Sequence, residues 1–298
     1  MPSYQGGHNG GLLRSKDLYI LGSCMRITRR RRRSRLSALA VAAAGLTVMA
    51  SPAVAATSGP HDLVPYGQLD CRSGPIEPGV YISILVIGSC WLTDFGTVEI
   101  NGDFRVAHDA KFNGATNGTF IDDGNFYAGT NSIVTLGCNV KSVGAPCTTN
   151  TPDVVHGFVY ADNAFEMSWH NVAVDSNYLM IGEKDYSNNV NCSNLDLTGT
   201  PDYFTFEDGS VGGNLTYQGN HTCWMGLFRN HIKGNVSVSA NLTNTTIPGI
   251  AFDAPEIASN VIGGKLSCFN NFPPPTFGDS HGKPNIAKGG KTGQCKKL

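Results

Sequence analysis

The sequence predicts an all-β fold, a right-handed parallel β-helix with disulfide-tied ends. Three observations carry that expectation. A short pattern, an apolar alternation, then Gly-Asn or a near equivalent, then a second alternation, recurs at Val98–Val106, Val211–Tyr217, Ile232–Val238 and Val261–Cys268. After residue 60 no helical period of 3.6 is visible. Eight cysteines remain once the first 24 residues are set aside, an even number. The 41% hydrophobic fraction is too high for a disordered chain, and 15% charged residues are too few for a helical bundle.

The chain opens on targeting sequence. Residues 1–24 read as an over-long, disordered start before Met25. Residues 25–55 then carry five consecutive arginines (29–33), an apolar run from Leu36, and Ala53-Val54-Ala55. A basic, an apolar and a small-residue region in that order make a signal peptide. The run is shorter than the ~20 residues a membrane span needs, so no span is expected after cleavage. The protein is expected to be secreted. Nine of 22 basic and one of 23 acidic residues lie in the first 55, which leaves 13 against 22 and a net charge of −9. A body so acidic repels phosphate backbones, so nucleic acid is not an expected partner.

Residues 56–70 read as a linker, 71–271 as the β-helix and 272–298 as a basic tail or cap. Asn214 to Asn235 is 21 positions and Asn235 to Lys265 is 30, with Asn194 standing 20 before Asn214. Such periods mark solenoids. Period-two alternation turns Ile232, Val236 and Val238 inward and leaves serine and lysine outside. Glycine and asparagine tolerate positive φ and suit the corners. Short strands with Gly-rich turns would also serve a β-sandwich, the alternative architecture. Cysteine count alone leaves many connectivities open. A fold whose contacts run between neighbouring turns favours the local scheme Cys71–Cys90, Cys138–Cys147, Cys192–Cys223 and Cys268–Cys295. The first and last of these would tie the caps, and a capped monomer is expected.

Two motifs carry a resemblance. The opening Cys71…Ile76-x-Pro78-Gly79-x-Tyr81…Gly88-x-Cys90 and the ending Asn260-x-Ile262-x-Gly264-x-Leu266-x-Cys268, with Gly293-Gln294-Cys295, resemble uncharacterised secreted actinobacterial β-helix proteins. More distantly the pattern is similar to the pectin-lyase-like β-helix superfamily. The resemblance implies an exported β-helix and brings no assigned activity.

Some superfamily members are polysaccharide lyases or hydrolases, and the fold-level analogy licenses a search for their chemistry. Asp122-Asp123, His156, Arg229 and Lys233 follow the hydrolase order loosely. Paired carboxylates would protonate a leaving oxygen and activate water. The Asn-x-Asp partner is missing, and Asp122-Asp123 before Gly124-Asn125 reads more simply as a turn. Trp169, His170, Trp224 and Arg229 are candidates for stacking on or contacting a sugar. Histidine spacing supports no metal site, and no cofactor is expected; calcium would enter only with a lyase. The expected function is a non-catalytic extracellular structural or glycan-binding module, with cell-wall glycan as partner. The alternative is a polysaccharide lyase or glycoside hydrolase.

Overall fold

The computed structural model describes residues 66–138, 148, 152–182, 203–243, 255–278 and 282–298. Among them every named element but one is a strand, and strand pairing is parallel throughout. The strand Gly79–Leu92 turns through three faces. Its start pairs with Thr97–Ile100, its middle with Phe104–Val106 and its end with Lys111–Gly114. Each later coil repeats this. The first face continues through Thr119–Asp122, Asp153–Val155, Val172–Val174, Ser210–Val211, His231–Ile232, Val261–Ile262 and Ile286–Ala287. The second runs through Phe126–Ala128, Val159–Asp162, Tyr178–Ile181, Leu215–Gln218, Val236–Ser239, Leu266–Phe269 and Lys291–Gly293. The third runs through Ile133–Leu136, Glu166–His170, Tyr203–Glu207, Trp224–Phe228 and Glu256–Ala258. This is a parallel β-helix and not a sandwich.

The alternation works as expected. Ile232, Val236 and Val238 are all buried. Inward side chains of successive coils stack into one core, aromatic early and aliphatic late. Phe104 packs on Phe112, Phe120 and Phe126 with ring centroids 4.6, 5.1 and 5.0 Å apart. Trp169, Tyr178, Phe206 and Tyr217 continue it, and Val236, Ile262 and Leu266 close it. Removing any one of these rings from water contributes about 2–3 kcal/mol.

Three asparagine ladders hold the corners. At the first corner Asn214 donates to Asn177, Asn235 donates to Asn214, and the Lys265 N–H donates to Asn235. The 21- and 30-residue spacings are therefore one column. Asn194 lies outside the described residues, and Asn214's neighbour is Asn177, 37 positions earlier. At the second corner Asn220, Asn241, Asn271 and Gln294 bond in series. At the third Asn230, Asn260 and Asn285 do the same, and the asparagines of both these ladders are buried.

The glycines of the first corner have a different role from the expected one, while Gly219, Gly293 and Asn270 at the second corner have the positive φ expected of Gly and Asn. Gly213, Gly234 and Gly264 do not have positive φ. A Cβ on Gly234 would stand 2.5 Å from the Gly213 carbonyl oxygen, and one on Gly264 would stand 2.4 Å from Asn235 Oδ1. Close approach of neighbouring coils demands glycine here. Positive φ falls just before the buried ladders: Gly219, Ala240, Asn270 and Gly293 precede one, and Asp208, Arg229 and Ser259 precede the other.

The boundaries also shift. The first strand is Tyr66–Ile76, so residues 66–70 belong to the helix and not to a linker. Ile286–Ala287 and Lys291–Gly293 add a coil, so the basic tail is part of the solenoid. Cys71–Cys90 and Cys268–Cys295 are paired as expected. Cys138 and Cys223 are also disulfide-bonded, while Cys147 and Cys192 lie outside the described residues. No helix among the described residues is long and apolar enough to cross a membrane.

Candidate functional site

The backbone of the first corner builds a column of outward side chains. The N–H groups of Asp123, His156, Asp175, Gly212 and Lys233 each bond to the carbonyl that ends the first-face strand one coil before. Asp123, His156 and Asp175 are therefore neighbours, all about half exposed. His156 Nδ1 lies 2.6 Å from Asp175 Oδ2, and its Nε2 lies 3.8 Å from Asp123 Oδ1. Asp122 sits one residue earlier and points inward, fully buried, with Oδ1 accepting from the Gly124 N–H. Burial, reinforced by the charges of Asp103 and Asp123, pushes its carboxyl up to about 7. Lys233 shares the column, but Gly212 stands between it and Asp175. At about 4.8 Å per coil its backbone is ~14 Å from that of His156.

Arg229 occupies another corner, between the third and first faces. Its Nε and Nη2 donate to both oxygens of Asp208 at 2.6 and 2.8 Å, and Nη2 also donates to Glu207 at 2.9 Å. The Asp208 hydrogen bonds, with the charges of Asp208 and Glu207, raise its pKa and fix it as a cation. A guanidinium held this way is no general base. His170 lies near it, with Nδ1 3.7 Å from Glu207 Oε2. Trp224 is half-buried on the same face, stacked on Phe228 with centroids 5.6 Å apart and edge-on to Tyr203. Trp169 corrects the glycan-stacking expectation. It is fully buried, edge-on to Phe126 and Tyr178, because its place in Glu166–His170 falls on the inward phase.

The sequence candidates thus form two groups. Asp122, Asp123 and His156 meet at one corner, and His170, Trp224 and Arg229 meet around another; Lys233 joins neither. Sequence reasoning offers Asp175 only as a carboxylate for calcium and does not place it beside His156, where it completes the first group. It also missed the outward column of the second face, where Arg105, Tyr127, Tyr160 and Leu179 are in register on successive coils. The Arg105 guanidinium lies 4.5 Å above the Tyr127 ring and pairs with Asp103 at 2.6 Å. Phe158 meets Tyr127 edge-on at 5.5 Å. The signal was there as a repeated apolar-x-apolar triplet, Phe-Arg-Val, Phe-Tyr-Ala and Val-Tyr-Ala, whose middle residue must face out. Among the described residues no three His, Cys, Asp or Glu side chains are placed to hold a metal ion.

Comparison with known proteins adds no relative: no family model, no curated protein and no solved structure matches the chain.

Proposed function

We propose that this protein is a secreted, extracellular β-helix that binds glycan along its second face without turning it over. One observation carries the reading: Arg105, Tyr127 and Tyr160 project outward from adjacent coils, in register, with Asp103 paired to Arg105 and the Asp123, His156 and Asp175 group at the corner that precedes this face. Partly exposed tyrosines on a rigid sheet offer apolar faces to sugar rings. The flanking carboxylates, imidazole and guanidinium supply directional partners for hydroxyl groups. A pectin-lyase-like chemistry finds less support. Asp122 is buried, Arg229 is held by Glu207 and Asp208, and Lys233 stands apart from His156.

The test is binding and product release on the same polysaccharide panel, with and without calcium. Affinity electrophoresis should find at least one retarding glycan, and Tyr127→Ala with Tyr160→Ala should weaken retention about tenfold or more, in line with loss of one to two stacking contacts. Release of reducing ends or unsaturated products, lost in His156→Ala, would replace this reading with the hydrolase or lyase alternative.

A further inference from the structure

The two ends of the coil differ from everything between them. Every exposed large apolar side chain among the described residues belongs to 66–95 or to 261–286. Tyr66 (61%), Ile82 (55%) and Phe95 (73%) mark the first end, and Phe269 (48%), Phe272 (63%) and Ile286 (62%) mark the last. Tyr66 shows how the first end is left open. Its register places it above Tyr81, itself buried, and the two rings lie 5.3 Å apart. Tyr66 occupies an inward column yet is exposed.

The backbone is open at the same places. Among the described residues Tyr66–Ile76, eleven residues long, pairs only with Gly79–Leu92. Among the same residues, Ile286–Ala287 and Lys291–Gly293 pair only with the coil before them. A long parallel edge is a template for another strand. The charges at the two ends are opposite. Residues 66–99 carry Asp70, Glu77, Asp94 and Glu99 against Arg72 alone. Residues 283–298 carry Lys283, Lys288, Lys291, Lys296 and Lys297 and no acidic side chain.

We infer that the first end of one molecule docks on the last end of a second copy, head to tail. The occupant is a second copy because this chain itself supplies what the first end lacks: a coil of matching parallel strands, an apolar rim and the complementary charge. The contact joins two different surfaces, so it does not close on itself, and successive copies extend the solenoid into a filament. The sequence expectation of a capped monomer rested on disulfides at both ends. Those disulfides lock each terminal coil to its neighbour, and among the described residues no strand pairs with the outer edges. Opposite charge steers the encounter and makes it sensitive to salt.

Two variants test this. Tyr66→Lys with Asp70→Lys spoils the first end, and Ile286→Asp with Lys288→Glu spoils the last. All four residues are exposed, and far-ultraviolet circular dichroism confirms that each variant is folded. Light scattering should find wild-type protein growing past the dimer as concentration rises, and shrinking again at high ionic strength. Each variant alone should be monomeric. Mixed, they should form a dimer and stop, since each keeps the end the other has lost. Wild type that is monomeric at every concentration overturns the inference and leaves the edges to a segment of the chain itself. Assembly that survives in either variant alone also overturns it, by placing the contact on a lateral face, and a mixture that stays monomeric while wild type assembles rules out head-to-tail pairing.

Discussion

Asn230 shows what one side chain holds in this fold. Its Oδ1 accepts from the Gly209 N–H at 3.0 Å, and its Nδ2 donates to the Phe206 carbonyl at 2.6 Å and to Asn260 at 3.0 Å. All three bonds are buried, so Asn230→Ala strands the Gly209 N–H and the Phe206 carbonyl where water cannot reach them, while Asn260 Oδ1 keeps only the residue-230 backbone N–H. We expect a loss of about 3 kcal/mol in urea unfolding. Asn235→Ala, in the exposed ladder, should cost about 1 kcal/mol or less. Asp153 takes the corresponding place earlier in the chain, with Oδ1 accepting from the Phe120 N–H at 2.8 Å. Unlike asparagine it is ionisable, and burial pushes its carboxyl up to about 7, as it does for Asp122. An unfolded aspartate titrates near ~3.9. Between that value and 7 the folded state holds the extra protons, so stability falls as pH rises through this window and is level above it. Thermal unfolding should therefore be a few kcal/mol more favourable to the fold at mildly acidic pH than at mildly alkaline pH. Asp122→Asn should narrow that gap. Asp103 works in the opposite sense. Burial raises its pKa, but hydrogen bonds from Arg105 and Asn125 outweigh it and hold it low, so its contribution is lost in strong acid.

The corner is the element that sets coil spacing. Gly234 and Gly264 lie where the backbones of adjacent coils approach, and neither has positive φ. Gly264→Val would drive a side chain into Asn235 Oδ1 and the Gly234 carbonyl, which already stand 2.4 and 2.7 Å from a Cβ. The coils must part, and we expect a loss of about 1–3 kcal/mol in denaturant unfolding. Gly290→Ala makes a useful contrast. It meets no atom within 4 Å but has φ +85°, so its cost is one of conformation alone, about 1 kcal/mol. The periodicity of Ile232, Val236 and Val238 was legible because strand alternation is local. The function of the glycines was not, because it depends on which coil lies underneath.

Across the whole β-helix unit, each coil is held by its neighbours, and the terminal coils have only one. The Cys268–Cys295 disulfide ties the last coil through a buried pair. Replacing both cysteines by serine should free this coil first. The expected readout is faster amide exchange at Ile286–Ala287 and Lys291–Gly293, with a stability loss of about 3 kcal/mol.

The sequence alone determined strand type, the inward phase of Ile232, Val236 and Val238, and the column joining Asn214, Asn235 and Lys265, because each follows from short-range alternation or from repeat length; the two terminal disulfides match the local pairing it favoured. It also grouped Asp122, Asp123, His156, Arg229 and Lys233 in one hydrolase-like order, of which only the first three lie together. Only the tertiary structure decided which outward residues meet. Inserted stretches of different length separate successive coils, so distance in sequence does not measure distance across the stack. Asp175 joins His156 from 19 positions away, and Tyr160 stands beside Tyr127 from 33. Lys233 stays apart from His156 although the same backbone column carries both. The register between coils is a long-range pairing, and it alone turns a list of candidate residues into a surface.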